Sequence, residues 1–378
     1  MIYLDYSANT PVAPKVLERF IQVEREFIGN PNSTHEAGKR AQWEMAKVTE
    51  GIAQLLKVNP AEIIYTSGAS EANNLAIKGI ARSARHIGRH IISTPLEHSS
   101  VSGCLTALQE QGYEIDLLRL ERDGTVNLKE LEELLREDTI LVAICGVDSE
   151  LGCIQPISQI IEILKTHPNC RLHVDATQSI GKTRVSFQGV DTMSFTGHKF
   201  YGLNGCGILL KRKNLIIEPL IHGGASTTIY RSGTPTLALA AATEAALEIS
   251  LKEQSKHYEV VKNFNRKLRK ALETYPNVRI NSPENAVPHI LNLSVYGVKG
   301  TVFQRALDEY EICVSVKSAC SADGQPSRPV FAISQDRKNA LSSWRISLSH
   351  LTTEDEIQEL LRVFDLCYHK LSAKRGNE

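Results

Sequence analysis

No run of apolar residues in this chain is long enough to cross a bilayer: the longest, 140–147, falls far short of the roughly 20 residues a spanning helix needs. The amino terminus, Met1-Ile2-Tyr3-Leu4-Asp5, has no basic stretch followed by an apolar one, so a secretory signal is not expected. Charge of one sign is missing too. The 43 basic and 43 acidic residues balance to zero without a dense Lys/Arg tract, which gives no reason to expect nucleic acid or an anionic membrane as a standing partner. The 8 cysteines include no C-x-x-C pair, and Cys145 in ILVAICGV and Cys206 in GCGILL sit in apolar surroundings. Small reduced core thiols in a cytoplasm fit this better than a disulfide framework. Internal repeats, low-complexity tracts and linkers are absent, and only 373–378 reads as a frayed tail. With 378 residues, 42% hydrophobic and 23% charged, the chain has the makings of a globular enzyme with one large and one small domain.

What is present is concentrated in two segments. His173-Val174-Asp175-Ala176-Thr177-Gln178-Ser179 reads as a buried strand delivering a carboxylate and an amide at its carboxyl end, where open α/β sheets place their ligands. Ser194-Phe195-Thr196-Gly197-His198-Lys199, followed by Gly202, Gly205 and Gly207, reads as a second strand ending in His198 and Lys199. A lone Asp or Lys at a strand end is more often a cap or a solvated charge. The ordered set Asp175, Gln178, His198 and Lys199 instead suits an enzyme that holds pyridoxal phosphate, with the lysine taking the aldehyde and the aspartate keeping the pyridine nitrogen protonated.

Around these segments strands and helices alternate. Strands are expected at 62–66, 90–94, 114–120, 139–146 and 207–211, and helices at 72–83, 128–136 and 157–165, the pattern of a helix-covered, mostly parallel sheet. Helices at 14–27 and 37–56 precede it. Helices at 237–252 and 256–275 lead into a carboxyl-terminal α+β unit with strands at 289–295, 312–316 and 344–348. Ser67-Gly68-Ala69-Ser70-Glu71 is a Gly/Ser turn opening a helix; such a serine is usually only an N-cap, but beside a lysine and aspartate site the turn makes a phosphate cradle. Lys317-Ser318-Ala319-Cys320 passes abruptly from apolar strand to polar loop. Cys320 is therefore the cysteine expected to be exposed, and Lys317 could favour its thiolate.

HVDATQSIGK and SFTGHKFYG resemble the matching segments of the cysteine desulfurases, the NifS/IscS-like branch of the class V aminotransferase family. The likeness runs in order from Tyr3-Leu4-Asp5-Tyr6 to Leu351-Thr352-Thr353-Glu354. It implies the α/β fold of type I pyridoxal-phosphate transferases: a large cofactor-binding domain over 15–255 with a mostly parallel, seven-stranded sheet, and a small α/β domain made of 1–14 and 256–378 that carries Cys320. It implies that Ala69, Ser70, Thr196 and His198 hold the phosphate, Thr196 standing for the more usual Ser. His98 would stack on the ring and move protons, Gln178 would donate to the phenolic oxygen, and Thr234 of Arg231-Ser232-Gly233-Thr234 would reach the phosphate of the neighbouring subunit in a homodimer.

The same resemblance makes Arg345 the clamp for the α-carboxylate of L-cysteine, through its planar fork. It makes Cys320 the residue that takes sulfur as a persulfide, with alanine released and the sulfur passed to an iron–sulfur scaffold or a thiolation enzyme. No resident metal is implied; Cys320 alone could touch an iron–sulfur cluster in transit. Three positions depart from the family. Ser149 stands where relatives often have an Asn that touches the phenolic oxygen or the substrate carboxylate, Ser226-Thr227 where Gln-Glu is usual, and Lys317 where many have Gly. Two other readings stay open: another reaction on this scaffold, an aminotransferase or selenocysteine lyase that does not depend on Cys320, and a degenerate relative serving as a regulatory or assembly subunit.

Overall fold

The computed structural model describes residues 1–317 and 325–373. After β1 (Ile2–Tyr3), seven strands make one sheet: β2 (Ile63–Thr66), β3 (His90–Ser93), β4 (Glu114–Leu117), β5 (Thr139–Cys145), β6 (Arg171–Asp175), β7 (Thr192–Thr196) and β8 (Gly207–Lys211). Their spatial order is β2-β8-β7-β6-β5-β3-β4. Pairing is parallel from β7 across to β4, while β8 runs antiparallel to both β2 and β7. This is the mostly parallel sheet that the alternating pattern predicts.

Strand β5 is buried along its whole length, and successive side chains feed two different cores. Val142 and Ile144 face one that includes α1 (Pro14–Glu26) and α2 (Glu36–Leu56); Leu141 and Ala143 face another, formed with α3 (Ala69–Ser83) and α4 (Ser99–Gln109). An unbroken apolar run with β-branched residues fits a strand covered on both sides. Helices α5 (Leu128–Leu134) and α6 (Ile157–Leu164) add Leu131 and Ile160 to the first core.

One helix, α7 (Leu237–Leu272), replaces the two expected over 237–275. The intervening Lys252-Glu253-Gln254-Ser255-Lys256 is polar on every side, but it contains neither Gly nor Pro, so nothing terminates the hydrogen-bond ladder. The helix begins in the first sheet core with Leu237 to Leu247 and ends in a separate core with Val261, Leu268 and Leu272. That second core is built from β9 (Val278–Ile280), β10 (Ile290–Val295), α8 (Gly300–Asp308), β11 (Ile312–Cys313), β12 (Ser343–Ser347), α11 (Glu354–Ala373) and their connections, while α9 (Arg328–Ser334) and α10 (Arg337–Ser342) place Val330 and Ala340 in a smaller cluster with Leu96, Cys145, Leu151 and Cys153. Trp344, fully buried, stacks on Phe303 with ring centroids 5.1 Å apart. Strand β1 pairs in parallel with β11, and Leu4 enters this same core, so the first residues are bound to the carboxyl-terminal part.

Several expected bounds shift, β4 ending at Leu117 rather than 120 and α5 at Leu134 rather than 136, and two shifts have evident local reasons. Helix α3 starts at Ala69 rather than 72, because the Gly/Ser turn is itself the first turn of the helix. Strand β11 stops at Cys313 rather than 316, since Ser315 leaves β1 to bridge Arg345 on β12.

Candidate active site

The carboxyl ends of β5, β6 and β7 open into a cavity of about 450 Å³. Ala69, Ser70, His98, Ser149, Asp175, Gln178, Thr196, His198, Lys199 and Arg345 all line it. Thr234 does not; it is exposed on this chain. Cys320 lies outside the described residues. Cys145 and Cys206 are buried, as expected of core thiols, and burial pushes the Cys206 thiol up to about 11.

Asp175 is the last residue of β6 and only 5% exposed. Its carboxylate accepts from the Thr177 amide at 3.0 Å and from the Asn73 side-chain amide at 2.8 Å. Asn73 itself is held from behind, its Oδ1 accepting from the Ser194 hydroxyl and from His173 Nε2 at 3.0 Å. That arrangement fixes which end of the amide faces Asp175. The second Asn73 proton goes to Ser100 Oγ at 2.9 Å, and Ser100 lies 2.8 Å from His98 Nδ1. One chain of hydrogen bonds thus joins Asp175 to His98.

His98 caps α4 and also faces the cavity. Its Nδ1 accepts from the Ser100 amide at 3.1 Å, so the neutral ring carries its proton on Nε2. Burial lowers its pKa, with Asp175 opposing and Lys199 reinforcing that effect, which keeps the ring neutral near pH 7. His198 follows β7 in a short turn. Thr196 donates to the Cys206 carbonyl at 2.8 Å, so His198 Nδ1 donates to Thr196 at 3.1 Å, leaving Nε2 as the ring's remaining polar atom. Burial, then Lys199 and Lys182, push its pKa down to about 4. An anion in the cavity would reverse that shift.

Lys199 Nζ donates to the carbonyls of Ser7 at 2.9 Å and Ala8 at 2.6 Å. Two residues on, Tyr201 holds φ at 68°, a left-handed conformation unusual for a bulky residue, pinned by Thr10 accepting from its amide at 2.7 Å. Behind the cradle at Ser67–Ser70, β8 begins at Gly207, where an added Cβ would stand 2.3 Å from the Gly68 carbonyl carbon. Only glycine allows the two backbones that approach.

Arg345, 2% exposed on β12, donates from Nη2 to Asp5 at 2.7 Å and from Nη1 to the Ser149 carbonyl at 2.7 Å. At Ser149, then, the backbone oxygen holds the guanidinium; among the described residues the hydroxyl is given no partner. Buried polar atoms remain unmatched around the cavity: Arg345 Nε, Ser7 Oγ and Thr177 Oγ1 have no partner among the described residues. A site with idle buried donors, a lysine amine, an anion cradle at a helix start and a carboxylate opposite is suited to a phosphorylated aromatic aldehyde and an amino acid.

Five participants were not singled out in the sequence: Asp5, Ser7, Ala8, Asn73 and Lys182. Asn73 carried a signal, a polar residue among the buried Ala72, Leu75, Ala76 and Ile80 of α3. Ser7 and Ala8 act through carbonyls and carried none.

Sheet, strand-end lysine and aspartate define a class of protein, and the family model for aminotransferase class-V matches residues 2–360: the chain belongs to that family, whose members depend on pyridoxal phosphate. Within it the likeness is to cysteine desulfurases along nearly the whole chain. A NifS/IcsS protein homolog of Lactobacillus delbrueckii subsp. bulgaricus is 38% identical over 378 residues, covering 98% of each protein. A cysteine desulfurase IscS of Cronobacter sakazakii is 39% identical over 374 residues, covering 96% of this chain and 92% of its own. A solved NifS-like protein superposes with a TM-score of 0.90 at 35% identity, covering 98% of this chain and 99% of that one. Among the described residues no helix is long and apolar enough to cross a membrane.

Proposed function

We propose that this chain converts L-cysteine to L-alanine and takes the sulfur onto Cys320 as a persulfide, for delivery to an iron–sulfur scaffold or a thiolation enzyme. The observation that carries the reading is the single cavity that brings Lys199, Asp175, His98 and the Arg345 fork together. The idle buried donors and the Ser67–Ser70 cradle fit the phosphate and ring of pyridoxal phosphate. When bound, that group supplies an electron-accepting ring that makes the α-proton and the carbon–sulfur bond of cysteine labile.

In this reading Ala69, Ser70, Thr196 and His198 hold the phosphate, and Thr234 of a second copy completes the cradle in a homodimer. Asp175, ordered by Asn73, faces the ring nitrogen, and Gln178 donates to the phenolic oxygen. Arg345 takes the substrate carboxylate while keeping Asp5 and Ser149 as its anchors. Lys199, whose amine Ser7 and Ala8 hold at the cavity wall, removes the α-proton, and the neutral His98 presents its Nε2–H to the cavity as a hydrogen-bond donor. The Cys320 thiolate attacks the substrate sulfur; a sulfur–sulfur bond forms as the carbon–sulfur bond breaks, and Cβ gains a proton to give alanine.

The test is anaerobic turnover of L-cysteine by the purified protein, following alanine and the sulfide released by reductant, with Cys320→Ala alongside. Equal amounts of both products that vanish in the variant support the reading. Alanine or pyruvate formed equally by the variant moves the assignment to another reaction of the family, and a cofactor-loaded protein with no turnover supports the regulatory alternative.

A further inference from the structure

Lys182 sits in the turn after β6, only 7% exposed, and nothing in the reaction above uses it. Its ammonium donates to Gln178 Oε1, while Gln178 Nε2 donates to the Ser7 carbonyl at 2.9 Å, the same carbonyl that accepts from Lys199. Burial, then the positive charges of Lys199 and Arg345, push its pKa down to about 7. Lys182 in turn adds to the effect of burial in depressing two imidazoles, His198 beside the cavity and the buried His289. Among the described residues no carboxylate is hydrogen-bonded to it. A buried ammonium without a counter-ion is costly, so its place calls for an explanation.

The amide supplies one. Lys182 donates to the Gln178 oxygen and the Ser7 carbonyl accepts from the amino group, so the two contacts agree on one orientation of the amide. One amino proton goes to Ser7; the other remains for the cavity that Gln178 lines. Without Lys182 the Gln178 oxygen loses its partner, and only the Ser7 carbonyl, which Lys199 also uses, still holds the amide in that orientation.

We propose that Lys182 is a positioning residue for the cofactor site: its bond to the Gln178 oxygen helps lock that amide as a donor toward the cavity. This rests on the reading that the cavity binds pyridoxal phosphate. The locked donor favours the deprotonated form of the bound group, so it lowers the pH midpoint of that group's visible absorbance transition.

The experiment loads wild type, Lys182→Met, Lys182→Arg, Gln178→Ala, Gln178→Glu and the double Lys182→Met/Gln178→Ala with pyridoxal phosphate, and reads the absorbance midpoint and the dissociation constant. Lys182→Met should raise the midpoint by about 0.5–1 pH unit and weaken binding roughly fivefold, with Lys182→Arg closer to wild type. In the Gln178→Ala background the same substitution should move the midpoint less than half as far, because its main target is gone. Gln178→Glu leaves Lys182 in place but presents only acceptors to the cavity, and should also raise the midpoint. It keeps the test decisive if Lys182→Met does not fold. An unshifted midpoint in folded Lys182→Met or in Gln178→Glu, or an equal shift with and without Gln178, overturns the proposal. A wild type that takes up no cofactor overturns the cofactor reading and this inference with it.

Discussion

Replacing Asn73 by aspartate keeps the size of a fully buried side chain and changes only which atoms donate. The bonds from Ser194 and His173 to Oδ1 can survive, but the amino group that stands 2.8 Å from Asp175 Oδ2 becomes an oxygen. Two carboxylates at that separation cannot both ionise, so the pair keeps one proton, with a folded pKa above the roughly 4 of an unfolded aspartate. Losing a hydrogen bond to a buried charged group costs about 1.5–3 kcal/mol. The sign follows from proton binding. Above about pH 4 the folded variant holds a proton that the unfolded chain has lost, so its stability falls with rising pH relative to wild type. Urea unfolding of both cofactor-free proteins at about pH 5.5 and about pH 8 should show a deficit of around 2 kcal/mol at the higher pH and a smaller one at the lower. A deficit that is the same at both pH values, or absent, would refute the assignment of Asn73 as the donor that orders Asp175.

Other substitutions test other parts of the site. Burial pushes Glu97 up to about 8, and its Oε2 has no partner among the described residues. The folded state therefore loses stability as pH rises from the unfolded glutamate range toward 8, and Glu97→Gln should melt above wild type at alkaline pH, by about 1–3 kcal/mol; a lower melting temperature there contradicts the neutral-acid state. Gly207→Ala would force a methyl to within 2.3 Å of Gly68 backbone and displace the Ser67–Ser70 turn. Equilibrium titration should find cofactor affinity reduced tenfold or more, a cost of at least about 1.4 kcal/mol, and wild-type affinity would remove the cradle from that turn. Arg345→Lys replaces a fork that serves Asp5 and Ser149 with a point charge; steady-state kinetics should show KM for L-cysteine raised about 10–100-fold with kcat changed less, and an unchanged KM would put the carboxylate elsewhere.

The parts of the site legible in the sequence are those that local pattern specifies. Asp175 and Thr196 end apolar strands, Lys199 lies just beyond one, and Ser67–Ser70 opens a helix, so strand period and turn chemistry locate them. What binds them to one another is not local. The carbonyls of Ser7 and Ala8 reach Lys199 across 192 and 191 positions, and backbone groups have no residue type to betray them. Asp5 meets Arg345 across 340 positions, a pairing that neither short segment announces. The join expected within α7 failed for a different reason: a polar stretch resembles a loop in composition, yet without Gly or Pro it continues a helix whose two ends are already anchored in separate cores.

The route of the first ten residues governs when this protein can become an enzyme. They leave the ribosome well before the residues they pair with: β1 waits for β11, and Asp5 waits for Ser315 and Arg345. During synthesis the seven-stranded sheet can be finished while the lysine amine still has no Ser7 or Ala8 carbonyl fixed beside it. Closing so long a loop is slow, and it comes only after most of the chain has been made. A nascent chain halted before β12 should therefore carry a built sheet and an unfinished cavity, so acquisition of the cofactor would mark completed assembly rather than guide it.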